Sequence, residues 1–181
     1  MYEVEVKVRA DHERVRDRLQ DAEAAEIGSV EQEDTYYNAP HRDFAATDEA
    51  LRIRRETAAE HTTANLTYKG PLVDRDSKTR KEIETTVGST TAMDRILDAL
   101  GFAPVATVHK HRERFGIEDF TITLDSVEEL GEFLEIEAEA PEEEIDTTRQ
   151  EAFEVLRKLD LDPEDQIRTS YLELVLETRD R

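Results

Sequence analysis

Met1-Tyr2-Glu3-Val4-Glu5-Val6-Lys7-Val8-Arg9 opens the chain with a strict alternation. Val4, Val6 and Val8 fall on one side and Glu3, Glu5, Lys7 and Arg9 on the other, the period of a β-strand with two unlike faces. Neighbours on one face stand about 6–7 Å apart. Two carboxylates followed by two cations at that spacing form an array suited to a divalent metal at one end and an anion at the other. For a single such strand, a polar face turned to water is the simpler explanation.

The alternation recurs along the chain. Residues 26–38 read as a strand. Leu51-Arg52-Ile53-Arg54 sets two arginines on one face, and Leu66-Thr67-Tyr68-Lys69 runs into Gly70-Pro71, read as its end. Residues 78–87 bring Lys78, Arg80, Glu82 and Glu84 to one face; residues 103–117 do so for Val108, Lys110, Arg112 and Arg114. Thr121, Thr123 and Asp125 are co-facial in the next strand, and in residues 132–140 Glu135, Glu137 and Glu139 oppose Leu134, Ile136 and Ala138. Helices are predicted from an Asp11 N-cap to about Glu23, from Ser89 or Thr90 to Leu100 with Gly101 as C′, and from Thr147 or Thr148 to Leu159. Residues 41–48, 57–62 and 72–77 read as loops, and residues 169–177 close a helical tail. Eight strands with helices in a few connections predict an α+β domain over 1–181, built on a mostly antiparallel sheet or closed barrel.

Composition narrows the function. The chain has 181 residues, with 45 acidic against 24 basic and a formal net charge of −21. A broad nucleic-acid surface is disfavoured by such a shell. An acidic, strongly hydrated surface suits a halophilic protein, since at molar salt the Debye length is only about 3 Å. Cysteine is absent, which excludes disulfides and thiolate metal sites. Without a signal-peptide pattern or a long apolar run, the expectation is a soluble, cytoplasmic protein away from the membrane. Only six lysines occur, and Lys7, Lys69, Lys78, Lys81 and Lys110 all fall in predicted strands or at their edges.

If the charged faces pointed inward, a barrel would have an ionic lumen. Burying so many charges costs several kcal/mol per ion unless each is paired or the space is wet. A cationic lumen with clustered carboxylates suits a polyphosphate with one or two divalent metals. His109 and His111 have the spacing of a metal pair but no evident acidic partner, and read as structural. Tyr36, Tyr37 and Tyr171 read as core residues with satisfied hydroxyls.

These motifs, in order, resemble the CYTH or triphosphate tunnel metalloenzyme superfamily. Glu3-Val4-Glu5-Val6-Lys7 matches its ExExK signature. Asp34-Thr35-Tyr36-Tyr37-Asn38, Ala50-Leu51-Arg52-Ile53-Arg54 and Leu66-Thr67-Tyr68-Lys69-Gly70-Pro71 look like the class IV adenylyl cyclase branch. So do Arg80-Lys81-Glu82-Ile83-Glu84, Lys110-His111-Arg112, Asp125-Ser126-Val127, Glu135-Ile136-Glu137 and Ser170-Tyr171-Leu172-Glu173-Leu174. The resemblance implies a closed eight-stranded antiparallel tunnel with flanking helices. It implies Mg²⁺ or Mn²⁺ on Glu3, Glu5, Glu135 and Glu137, with Lys7, Arg52, Arg54, Lys69, Lys110 and Arg112 gripping a triphosphate. Lys7 and Asp125 would be catalytic, with Arg80, Glu82 and Glu84 in support. The implied reaction is ATP to cyclic AMP and pyrophosphate. A metal-dependent hydrolysis of inorganic or thiamine triphosphate, or nucleotide binding without catalysis, stands as the alternative. By the same analogy a homodimer is an option.

Overall fold

The computed structural model describes residues 1–180. The strands are β1 (Tyr2–Arg9), β2 (Ala25–Asn38), β3 (Ala50–Ala58), β4 (His61–Leu72), β5 (Arg80–Thr86), β6 (Ala103–Ile117), β7 (Phe120–Val127) and β8 (Gly131–Ala140). The helices are α1 (His12–Asp21), α2 (Phe44–Thr47), α3 (Thr90–Ala99), α4 (Ile145–Lys158) and α5 (Tyr171–Arg179). The strands close a barrel in the order β1-β5-β4-β3-β2-β6-β7-β8, and neighbours pair antiparallel. Closure removes the unpaired edges that an open sheet would expose.

The two faces of the opening strand both become buried, against different surroundings. Val6 and Val8 point outward and join Ile122, Leu124, Leu134 and Ile136 under Val15 and Leu19 of α1 and Val155 and Leu156 of α4. The main apolar core therefore lies outside the barrel, between its β1-β7-β8 wall and two helices. A second cluster gathers Tyr36, Val108 and Phe133 beneath Tyr171 and Val175 of α5. A third places Tyr37 and Ile53 under Leu97 of α3. Tyr36 and Tyr37, as neighbours on one strand, face opposite ways and enter different clusters. The inner faces keep the charges.

Several expected boundaries move. Ala58 pairs with His61, so the predicted 57–62 turn shrinks to two residues, with Ala59 in the left-handed region at φ 52°. Gly70-Pro71 does not end its strand: the ladder shifts between Lys69 and Leu72, and β4 continues to Leu72. A bulge absorbs the proline, which has no N–H to donate. Lys78 lies before β5 rather than within it. The loop expected over 41–48 contains the short α2, capped by Asp43, and α4 begins at Ile145, before the predicted threonines. Among the described residues, no helix is long and apolar enough to cross a membrane.

The seam between β1 and β5 is unusual. One register pair joins them, Glu3 with Arg80. Beyond it the edge of β1 is completed by segments that are not strands: Lys78 N–H donates to Glu5 O at 2.9 Å and Ile167 N–H to Lys7 O at 2.7 Å.

Candidate active site inside the barrel

Alternation turns one face of every strand inward, and the result is a cavity of about 530 Å³. This lies within the roughly 300–1,000 Å³ typical of small-molecule sites. Seven strands supply lining residues; the inward residues of β7, Thr123 and Asp125, are wholly buried behind them.

Most of the cations are tied to carboxylates. Arg112 donates to both oxygens of Asp125 at 2.6 Å and to Glu135 Oε2 at 2.5 Å, and Lys110 Nζ reaches Asp125 Oδ2 at 3.1 Å. Arg54 grips Asp34 with two bonds of 2.6 Å, and Arg52 Nη1 stands 3.6 Å from the same carboxylate. Arg114 holds Glu56, which also accepts from Gln32. Lys69 pairs with Glu82, and Thr67 and Asn65 donate to Glu84. Arg80 donates to Gly70 O at 3.0 Å. Paired forks of this kind offset part of the desolvation cost of buried charge. Burial works against ionisation of Asp34, but Arg54 and Arg52 overcome it and hold the carboxyl well below its ordinary range. Burial opposes the charged form of Asp125 and Glu135 too, and Arg112 and Lys110 reverse its effect in both.

The acidic end behaves differently. Glu3, Glu5 and Glu137 each bring an oxygen within 4.8 Å of the others. Glu5 faces Glu137 directly across the β1–β8 ladder. Burial raises Glu137 to about 8, against the pull of Arg112, with Glu3 and Glu135 adding to the rise. Burial also lifts Glu3 to about 7, opposed by Lys69 and reinforced by Glu82 and Glu5. Crowded carboxylates short of positive charge are what an added cation relieves. The donors are all oxygens, which suits a hard ion such as Mg²⁺ or Mn²⁺.

The expected metal set is thus brought together in three of its members, while Glu135 is taken up by Arg112. Lys7 is wholly buried, outside the cavity lining: its Nζ donates to Thr169 O at 2.5 Å and lies 4.2 Å from the Tyr171 ring centre, with Lys110 Nζ 4.8 Å from the same ring. Burial lowers Lys7 to about 7, and nearby Lys78 contributes to the fall. Burial likewise brings Lys110 to about 8, with Arg112 beside it. Arg52, Arg54, Lys69, Arg80, Glu82 and Glu84 all line the cavity. Sequence reasoning placed Lys78 and Arg114 on the charged faces but gave no role to Asp34 or Glu56. Asp34 was legible from its phase with Gln32 and Tyr36.

Two smaller expectations change. His109 and His111 face outward and do have acidic partners, Glu33 at 3.8 Å and Glu31 at 2.6 Å on β2. The Tyr171 hydroxyl, expected to be satisfied, has no hydrogen-bond partner among the described residues.

The cavity lining is of mixed character. Tyr37, Phe44 and Val105 line it together with Leu172 and Leu176 of α5.

Comparison with known proteins agrees with this architecture. The chain is 42% identical to "Putative adenylate cyclase MJ0240" of Methanocaldococcus jannaschii over 176 residues, 96% of this chain and 98% of that protein. The PH1819 protein of Pyrococcus horikoshii superimposes with a TM-score of 0.92 at 41% identity, covering 98% of this chain and 99% of that one. HpAC1 of Hippeastrum, reported to have a dominant triphosphatase activity, shares the fold at a TM-score of 0.67 and 16% identity, over 99% of this chain and 96% of that one. The CYTH domain model matches residues 1–171, and the chain belongs to the CYTH family.

Proposed function

We propose that this protein is a metal-dependent adenylyl cyclase of the class IV kind, converting ATP to cyclic AMP and pyrophosphate. The observation that carries this reading is a cavity lined by cations and also by aromatic and aliphatic side chains. The cations suit a triphosphate. Tyr37, Phe44, Val105, Leu172 and Leu176 offer apolar surface to whatever organic group is attached, for which inorganic triphosphate has no need. The adenylate cyclase name of the Methanocaldococcus relative supports the choice.

The roles follow from placement. Arg52, Arg54 and Lys69, with Arg80 in support, bind and orient the phosphates from one wall, and Lys110 and Arg112 do so from the other. Asp125 fixes the Arg112 fork and the Lys110 ammonium, so it acts on the substrate through them. Lys7 works from beneath α5. Glu3, Glu5 and Glu137 would hold Mg²⁺ or Mn²⁺. When bound, such an ion supplies charge neutralisation and makes a nearby hydroxyl more acidic. The ribose 3′-oxygen bonds to the α-phosphorus as the α–β bridging bond breaks, releasing pyrophosphate and one proton. Positioning and charge neutralisation by fixed groups supply most of the rate enhancement.

A triphosphatase is the second reading. It is favoured by one observation: the lumen cations address phosphate oxygens whatever those oxygens are attached to. A product assay separates the two. ATP and inorganic triphosphate are incubated separately with Mg²⁺ or Mn²⁺ in molar KCl. Cyclic AMP plus pyrophosphate from ATP is the expected result; orthophosphate without cyclic AMP overturns it.

A further inference from the structure

The seam between β1 and β5 leaves the strand carrying Glu3 and Glu5 without a full partner. The segment that fills the gap is the loop of residues 73–79. Lys78 grips the same residue of β1 twice: its N–H donates to Glu5 O at 2.9 Å, and its Nζ donates to Glu5 Oε1 at 2.6 Å. Lys78 is mostly buried and lines the cavity. We infer that Lys78 is a positioning residue for the Glu5 carboxylate, and that the 73–79 loop, latched by Asp74 to Arg149, holds it in place. The inference rests on the reading that Glu5 belongs to the metal site.

The loop has the construction this role requires. Connections usually run over the surface because their polar groups need water. Here Ser77 and Thr79 have no exposed surface, and their partners are internal. Ser77 Oγ donates to Asp74 Oδ2 at 2.6 Å and lies 2.6 Å from Thr79 Oγ1. Arg149 of α4 donates to the same Asp74 oxygen at 2.7 Å. Arg168 donates to Asp74 O and Gln166 to Asp76 O, each at 2.8 Å. The loop is thus fastened to α4 and to the segment before α5, and projects Lys78 inward. With Oε1 of Glu5 held by Lys78, Oε2 is the oxygen left to turn toward Glu3 and Glu137. A ligand carboxylate fixed by an outer hydrogen bond is held at its working angle, and loss of such a partner typically costs about 10–100-fold in metal affinity or activity.

The test is a calorimetric Mn²⁺ titration of the full chain without nucleotide, with circular dichroism as a check on folding. Lys78→Met is expected to weaken Mn²⁺ binding by roughly 10–100-fold. Lys78→Arg, which keeps the cation, should recover most of that loss. Arg149→Met alters no cavity-lining side chain and should weaken binding in the same direction. In turnover assays Lys78→Met should lower kcat far more than it raises KM. Unchanged binding in Lys78→Met overturns the inference. Tighter binding does so too, since Lys78 would then be only a competitor for the carboxylate. If Lys78→Met does not fold, Arg149→Met decides on the same criteria. Glu5→Gln is the control for the metal site: if it binds Mn²⁺ like the wild type, or if the wild type binds none, the site reading itself fails and this inference falls with it.

Discussion

Two charged clusters share the lumen, one about Asp125 and one about Glu5, and they are opposites in design. Around Asp125 both carboxylate oxygens are bonded, Arg112 spans Asp125 and Glu135, and no atom of Asp125 reaches solvent. Around Glu5 three carboxylates converge, with Lys78 on one oxygen and two neighbours raised toward neutrality by burial. Residues of the same types, sharing only β8, form a balanced ionic knot in one place and an unbalanced acidic pocket in the other. Balance suits a group that orients its neighbours; imbalance suits the metal-site role proposed for Glu5.

The sharpest way to break this contrast is to neutralise one acid in each cluster. Glu5→Gln should lower kcat on the order of 10²–10³-fold, the scale on which a single charge-stabilising group acts. Its thermal midpoint should fall less than that of Asp125→Asn, because Lys78 loses its countercharge while the pocket also loses a repelling charge. An active Glu5→Gln enzyme would remove Glu5 from the metal site. Asp125→Asn should do the reverse in kind. It leaves Arg112 and Lys110 short of countercharge inside the barrel and should cost about 3–5 kcal/mol of folding stability. Denaturant melts check this, and a loss confined to activity would mean Asp125 meets substrate directly.

Lys69→Ala sharpens the comparison from the cation side. Lys69 lines the cavity on the wall opposite the Asp125 knot. It should raise KM for the triphosphate substrate by about tenfold, the value of a charged hydrogen bond. A change in stability alone would make Lys69 a partner of Glu82 and nothing more.

Acid tests the second balanced cluster. Arg54 and Arg52 hold Asp34 below the ordinary aspartate value of about 3.9. A depressed carboxyl stabilises the fold above its unfolded pKa, and that contribution is lost as pH falls toward the folded value. As pH falls below about 5, wild-type stability should therefore fall toward that of Asp34→Asn, with most of the loss below about pH 4. Parallel curves would show that Asp34 is not held low. The smallest effect expected is that of salt on the exterior. The Debye length grows from about 3 Å at 1 M to about 10 Å at 0.1 M. With a net charge of −21, the thermal midpoint should drop on dilution from molar KCl. Full stability in dilute buffer would remove the halophilic reading.

Much of the barrel was legible because alternation is local. Val4, Val6 and Val8 against Glu3, Glu5 and Lys7 declare two faces, and Arg52 and Arg54 or Glu135 and Glu137 repeat the pattern; that these faces enclose a lumen was implied by the family resemblance. What stayed hidden depends on register and closure. Glu135 and Glu137 look equivalent as neighbours on one face, yet Arg112 takes the first and leaves the second to Glu3 and Glu5. Asp125 was expected to be catalytic, and only the pairing of β6 with β7 showed two cations on its carboxylate. Lys78 reads as a strand residue, whereas the loop that carries it completes the edge of β1.

The amino-acid order by itself determined the strands, their two faces, the acidic exterior and the residue types inside, because each follows from spacing and composition within a few residues. The tertiary structure alone decided which charge meets which, which acids remain crowded, and how α5 covers Lys7. Those outcomes depend on the shear and closure of eight strands, which set distances between residues far apart in the chain.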